Sequence, residues 1–308
     1  MALEWFAHNS KRSEKDKQTV MGRIQRHILP ALGSMAYDDV TAQHVRDMVQ
    51  RIAGRGKVDV ARRCCDLVNQ IYKYGIVTGK TEKNPAAYVK AVLPAQSQTL
   101  KHHAALTDPK EVGRLMRSIE EFQGTFVVKC ALQIAAYTFL RSSEIRKAPW
   151  SEIDFESRLW RIPAERMKRN NPHLVPLSDQ AISVLRELHP LTQNADFIFP
   201  SVRTDSKPLS ENTLNVALRG MGFSKEQMTL HGFRAMASSL LNERGYSSDW
   251  IEKQLAHTER NKVRAAYNRA DFLQDRIRMM QAWADYLDHL RDGGKVIPFP
   301  VKVTSDGS

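Results

Sequence analysis

Three short stretches near the carboxyl end gather groups that act on phosphate. Residues 229–234 (TLHGFR) hold His231 and Arg234, residues 255–257 (LAH) end in His257, and residues 263–269 (VRAAYNR) centre on Tyr267. Upstream, residues 138–144 (TFLRSSE) add Arg141 and Glu144. Two guanidiniums can grip the nonbridging oxygens of a phosphodiester, imidazoles can donate or shuttle protons, and a phenol can attack phosphorus to form a covalent ester. His231 and Arg234 stand three residues apart, so both can face one spot from a helix start, where free N–H groups already favour an anion. The phenol of Tyr267, with an ordinary pKa of about 10, needs positive charge or a base nearby to become a nucleophile. Arg166, Lys168 and Arg169 precede a turn signalled by Asn170, Asn171 and Pro172. A lysine on such a tip can reach into a cleft and protonate a leaving alkoxide.

Positioning these groups requires a mostly helical chain with a small antiparallel sheet, an α+β arrangement in two domains. The first domain, residues 1–94, reads as helices. Val20, Ile24, His27 and Ile28 share a face that Pro30 and Gly33 end, and Thr41 caps a helix carrying Val45, Met48, Val49 and Ile52. A further helix runs from about Val58 to Ile76. Arg51, Arg55, Lys57, Arg62, Arg63 and Lys73 give this bundle a basic side that can follow DNA, although a solvated basic face accounts for the same residues. Residues 95–107 are polar, lack periodicity and form a linker.

Residues 108–290 form the second domain, opened by Thr107 or Asp108 as cap with Pro109 in the first turn. A buried helix spans Ala131 to Glu144. Trp150 to Phe155 is extended, and Leu159 to Ile162 and His173 to Leu177 alternate as strands of a hairpin. Helices follow over Gln180 to Leu188, Asn212 to Met221, Phe233 to Arg244, Ser248 to His257 and Asp271 to Leu290. On the last of these, Leu273, Ile277, Met280, Ala284 and Leu287 make an apolar stripe, either for docking on a neighbouring protomer or for packing inside the domain. Residues 291–308 form a flexible tail.

The 308 residues carry 46 Lys and Arg against 34 Asp and Glu, a net +12. The excess is concentrated early, with 16 basic and 9 acidic residues in the first ninety. Such a field favours polyanions, RNA and anionic membranes as well as DNA. Cys64, Cys65 and Cys130 cannot make a disulfide framework, which fits a reduced compartment. No apolar run of membrane-spanning length and no signal-peptide core occurs, and the histidines lack zinc-ligand spacing, so no metal is assigned.

In residue type, order and spacing the chain resembles the tyrosine recombinase (phage integrase) family, especially the integrases of satellite prophages and genomic islands. The likeness runs from about Leu3 to Leu290. Leu140 to Glu144 matches the family's Leu-Arg-x-x-Glu box, and residues 150–154 (WSEID), 162–168 (IPAERMK), 173–178 (HLVPLS) and 279–287 (MMQAWADYL) extend it. The resemblance implies a site in which Arg141 and Arg234 clamp the scissile phosphate and Glu144 supports them. It makes Lys168 the hairpin lysine, His231 an aid to proton transfer, His257 a hydrogen-bond donor to phosphate and Tyr267 the nucleophile of a 3′-phosphotyrosyl ester. Arg169 and Arg264 join the basic residues of the first domain as candidate DNA contacts.

The same resemblance implies integration or excision of a mobile element without ATP, cofactor or metal. Its partners would be double-stranded DNA attachment sites, a homotetramer on that DNA, a directionality factor and a DNA-bending host protein, in the bacterial cytoplasm at the nucleoid. Family members usually begin with an arm-binding domain, whereas this chain opens at the core-binding helices, as a truncated form or as a member that works without arm sites. Two other functions use the same residues: a type IB topoisomerase-like nicking and closing enzyme, and a catalytically silent DNA-binding regulator.

Overall fold

The computed structural model describes residues 1–8, 14–94, 104–167, 170–257 and 272–293. The chain divides into two compact units, Met1–His102 and His103–Ser308. Helices dominate both, and the strands among the described residues form two small antiparallel sheets.

Unit 1 comprises α1 (Ala2–His8), α2 (Glu14–Arg23), α3 (Leu29–Leu32), α4 (Ala42–Ala53) and α5 (Val58–Val77). Thr41 caps α4 as its sequence predicts, in a capping box completed by the His44 side chain. Pro30 does not end the helical run. The chain widens into a π-turn over Ile24–Ile28, in which the Leu29 N–H reaches back to the Ile24 carbonyl, and Pro30 then enters the first turn of α3. Proline is tolerated there because its missing N–H has no intrahelical duty. Ile24, Ile28, Val45, Val49, Cys64, Cys65, Val68 and Ile71 meet in the core of this unit. Burial pushes the Cys64 thiol up to about 11, so it stays protonated and behaves as a small apolar side chain.

Unit 2 opens with α6 (Pro109–Glu120), whose cap Asp108 accepts from the N–H groups of Lys110 and Glu111. The buried helix expected from Ala131 to Glu144 is two helices, α7 (Phe126–Thr138) and α8 (Ser142–Arg146). Phe139, at φ 42, takes a left-handed conformation that stops α7 and turns the chain. Arg141 is therefore the residue that begins α8. The sheet holds β1 (Ile153–Asp154), β2 (Leu159–Ile162) and β3 (His173–Pro176) in that order, with Trp160 opposite Val175 and Ile162 opposite His173. Trp150–Glu152 forms a 3-10 turn in place of the expected extended segment.

Next come α9 (Asp179–Thr192), the hairpin β4 (Pro200–Ser201) and β5 (Thr204–Pro208), α10 (Thr213–Gly220), α11 (Gly232–Glu243), α12 (Ser248–Gln254) and α13 (Leu273–Arg291). Ser247 caps α12, its hydroxyl accepting from the Asp249 N–H. The stripe on α13 faces inward. Met280, Ala284 and Leu287 are buried together with Met279, Trp283, Tyr286 and Leu290, while Ile277 is exposed at 38%. The indole of Trp283 donates to the Ala136 carbonyl, Tyr137 donates to Asp288, and Arg117 caps the end of α13 through the Leu290 and Arg291 carbonyls. At Gly113 of α6 an added Cβ would lie 2.5 Å from the Leu290 carbonyl oxygen, so only glycine permits this approach of α6 and α13. Of the two uses open to the stripe, α13 is a core helix of its own unit.

Candidate active site

The turn after α12 is where the arginines meet. Arg141 donates from Nη1 to Glu144 Oε1 at 2.7 Å and from Nη2 to the carbonyls of Leu255 (3.2 Å) and Ala256 (3.1 Å). Arg234, in the first turn of α11, donates from Nη1 to the Phe139 carbonyl at 2.7 Å and from Nη2 to the same Leu255 carbonyl at 2.6 Å. One carbonyl oxygen thus serves both guanidiniums. Each element contributes for a local reason. The left-handed turn at Phe139 frees its carbonyl from helical bonding, Glu144 caps α8 by accepting the Arg141 N–H at 2.8 Å, and Ala256, at φ 48, turns the chain out of α12.

His257 completes the cluster. Its Nε2 lies 3.3 Å from Arg234 Nη2, and its Nδ1 lies 2.8 Å from Glu252 Oε2. Guanidinium only donates, so Nε2 accepts here and the ring proton sits on Nδ1, directed at the carboxylate. A phosphate arriving in place of that bond only accepts, so Nε2 must then carry a proton of its own while Glu252 keeps the Nδ1–H and orients the ring. His231 is the residue before α11 and is exposed at the helix start. An added Cβ at its neighbour Gly232 would lie 2.2 Å from the Ala104 carbonyl oxygen, so glycine lets the first residues of unit 2 pass beneath this helix end.

Burial sets the charge state. Arg234 is 4% exposed, and desolvation first, then the positive Arg141, pushes its guanidinium down to about 10, with Glu144 and Glu252 opposing the shift. It remains protonated at neutral pH. Two positive groups held together in low dielectric, with the buried Glu144 carboxylate paired to Arg141, suit an anion that both can bond.

Arg166, which flanks Lys168 in the sequence as a competing cation, is occupied elsewhere. Its guanidinium pairs with the buried Glu152 and donates to the carbonyls of Glu144 (2.6 Å) and Ser143 (3.4 Å). Lys168, Arg169, Arg264 and Tyr267 lie outside the described residues. Among the described residues no group of three or more His, Cys, Asp or Glu side chains could hold a metal ion, and no helix is long and apolar enough to cross a membrane.

Three polar residues that sequence pattern does not single out support the site from below. Gln254, His173 and Arg276 are exposed at 1%, 4% and 1%. His173 Nε2 donates to the Gln254 carbonyl at 3.1 Å, and burial pushes the His173 imidazole down to about 3, so it is neutral. Nothing in the spacing of these residues marks them as partners.

On unit 1, Arg51, Arg55 and Lys57 are exposed and line a cleft of about 200 Å³ with Arg26 and His27. Desolvation, followed by the positive field of Arg26, Lys57, Arg55 and Arg23, depresses the His27 pKa. Arg63 and Lys73 are exposed on α5, and Arg62 has Nε and Nη2 buried without a hydrogen-bond partner among the described residues.

Comparison with known proteins follows the same lines. The phage integrase family profile matches residues 106–274, and the phage integrase central domain profile matches residues 1–92. The integrase of Enterobacteria phage P4 is 37% identical over 307 residues, covering 95% of this chain and 69% of the relative. Prophage integrase IntA of Escherichia coli K12 is 33% identical over 293 residues, covering 95% of this chain and 70% of the relative. Among solved structures, a lambda integrase dimer bound to a COC′ core site matches with a TM-score of 0.67 at 19% identity, covering 87% of this chain and 93% of the other. The Tn1549 transposon integrase bound to transposon right end DNA matches at 0.62 and 15%, covering 90% of this chain and 98% of the other. These structural matches are likenesses of fold.

Proposed function

The chain belongs to the phage integrase family and is a site-specific tyrosine recombinase that cuts and rejoins DNA, and from that premise we propose how its residues divide the work. Arg141 and Arg234 hold the nonbridging oxygens of the scissile phosphate, Glu144 holds Arg141, and His257, oriented by Glu252, hydrogen-bonds the phosphate. Tyr267, its phenolic proton given up to a neighbouring base or water, attacks phosphorus in line as the phenolate, charge builds on the oxygens that the arginines hold, and Lys168 or His231 protonates the departing 5′ oxygen. The product is a 3′-phosphotyrosyl ester. One phosphoester replaces another, so a hydroxyl of a second strand can reverse the step without ATP or metal.

The observation that carries this reading is the Leu255 carbonyl shared by two guanidiniums from distant parts of the sequence, with His257 within hydrogen-bond reach of Arg234. Two guanidiniums set against one neutral carbonyl, with a single carboxylate paired to Arg141, leave positive charge that an incoming anion would offset. The family matches favour a recombinase over a topoisomerase-like enzyme or a silent regulator. The α13 stripe does not bear on that choice, because it is internal rather than a docking face.

In this reading Arg51, Arg55, Lys57, Arg62, Arg63 and Lys73 of unit 1, with Arg169 and Arg264 of unit 2, contact attachment-site DNA, and the basic cleft of unit 1 supports the assignment for Arg51, Arg55 and Lys57. Residues 1–94 serve as the core-binding domain, 95–107 as linker, 108–290 as catalytic domain and 291–308 as tail. The protein acts as a homotetramer at the nucleoid, with a directionality factor and a DNA-bending protein as accessories. A lambda integrase tetramer on a Holliday junction, at TM-score 0.67 and 18% identity, has a similar fold. The test is Tyr267→Phe, which should abolish covalent attachment to junction DNA while leaving affinity nearly intact. Adduct formation by that variant would move the nucleophile to another residue.

A further inference from the structure

Beside the two arginines, α7, α12, α13 and β3 are joined through one residue. Gln254, the last residue of α12, donates from Nε2 to the Thr138 carbonyl at the end of α7 at 3.4 Å. Its Oε1 accepts from Arg276 Nε at 3.2 Å and Nη2 at 2.7 Å, and Arg276 also donates to the Leu174 carbonyl in β3. Its own main-chain carbonyl accepts from His173. The amide therefore bonds on both ends and the peptide on one, all in a dry environment where each bond is directional and an orphaned partner is expensive. The next two residues in the chain, Leu255 and Ala256, supply the carbonyls that hold Arg141 and Arg234.

We propose that Gln254 and Arg276, backed by His173, are positioning residues for the cleavage reaction: they fix the Leu255–Ala256 turn and through it the separation and tilt of the two phosphate-gripping guanidiniums. This rests on the reading that Arg141 and Arg234 grip the scissile phosphate. None of the three touches substrate. Their effect is geometric, because a guanidinium hung from a displaced carbonyl donates off the line of the developing charge, and misplacement by about 1 Å can slow a reaction about a hundredfold. A purely structural role would show in stability alone.

The decisive variant is the pair Gln254→Met/Arg276→Met in the full chain. Single replacement strands the other side chain's buried polar group, whereas exchanging both removes that mutual penalty and leaves, among the described residues, only the Thr138 and Leu174 carbonyls each short of one donor. Melting temperature, affinity for a half-site duplex and the rate of covalent cleavage of a saturating nicked half-site are measured together. The expected result is a double variant that melts above either single variant, binds within about twofold of wild type and still cleaves at least about tenfold more slowly, the order of a partial loss of preorganised donors. Recovery of the wild-type cleavage rate along with stability overturns the proposal. If the double variant does not fold, Arg276→Lys decides. Its single ammonium cannot span Gln254 and Leu174 as the guanidinium does, so cleavage must fall at least about tenfold with affinity kept, and a wild-type rate refutes the positioning role. Failure of the underlying clamp reading is separate, since it shows as wild-type cleavage by Arg141→Met or Arg234→Met themselves.

Discussion

Replacing Arg141 with methionine removes three side-chain hydrogen bonds among the described residues, one of them an ion pair, while keeping the bulk of the side chain. The Glu144 carboxylate, 2% exposed, would keep only the residue-141 N–H on Oε2. Breaking a buried ion pair costs about 3–5 kcal/mol because one charge is left uncompensated. Arg141 is itself 25% exposed, so water enters the vacated position and the loss falls to roughly 2–3 kcal/mol. The Leu255 carbonyl keeps its bond from Arg234, so the turn loses only part of its support. Catalysis loses a preorganised donor at the developing charge, worth about a hundred- to a thousandfold in rate. The two effects are separated by adding Glu144→Gln, which keeps an acceptor for the residue-141 N–H but removes the stranded charge. Urea unfolding should recover most of its midpoint in Arg141→Met/Glu144→Gln, while adduct formation on a nicked duplex should stay at least about a hundredfold down. If the double variant cleaves at close to the wild-type rate, Arg141 does not grip the phosphate and its bonds serve the fold alone.

Lys168→Ala should impair leaving-group departure, and a substrate with sulfur in place of the bridging 5′ oxygen should recover much of the lost cleavage; an equal defect on both substrates transfers the acid role to His231. The neutral, buried His173 gives an acid-side signature. Its folded pKa of about 3 lies below the ordinary value of about 6.5, so the unfolded chain takes up a proton that the fold excludes. The stability it contributes is present above about pH 6.5 and is lost as pH falls toward about 3, at up to about 1.4 kcal/mol per unit. His173→Gln, which keeps a donor for the Gln254 carbonyl, should flatten that dependence in thermal melts, and parallel slopes would show that His173 is not buried neutral. In unit 1, Arg51→Ala/Arg55→Ala should weaken DNA binding across sequences and reduce the slope of log affinity against log salt by about 2, since each phosphate no longer neutralised withholds a counterion-release increment of about 0.9. An unchanged slope removes both residues from the DNA.

Arg141 with Glu144 stands out in the sequence because a charged group beside an apolar helix end needs a partner, whereas Arg234 and His257 are picked out by the order and spacing that the family resemblance supplies. The framework beneath them is not. Gln254 is joined to Thr138 across 116 positions and to His173 across 81, and neither periodicity nor charge marks a neutral amide as the hub of a buried network. The split of α7 from α8 is hidden because Phe139 is neither glycine nor asparagine, the residues that usually announce a left-handed turn. Pro30 reads as a stop because the π-turn that accommodates it depends on hydrogen bonding upstream rather than on the proline. The β4–β5 hairpin is invisible because Thr204 to Pro208 is polar and outward-facing, with no alternating apolar set. The apolar stripe of α13 is plain as a stripe. Only packing against α6 and α7 tells which surface covers it.

The closure of α13 on α6 also bears on how the enzyme is made. The first helix of unit 2 cannot complete its core until α13 arrives, since Leu290 seals against Gly113 and Trp283 against the end of α7. Unit 1, by contrast, assembles from neighbours in sequence and can fold as it emerges. The sequence-local bundle of unit 1 therefore forms ahead of unit 2, whose core and whose Gln254 anchor both depend on α13.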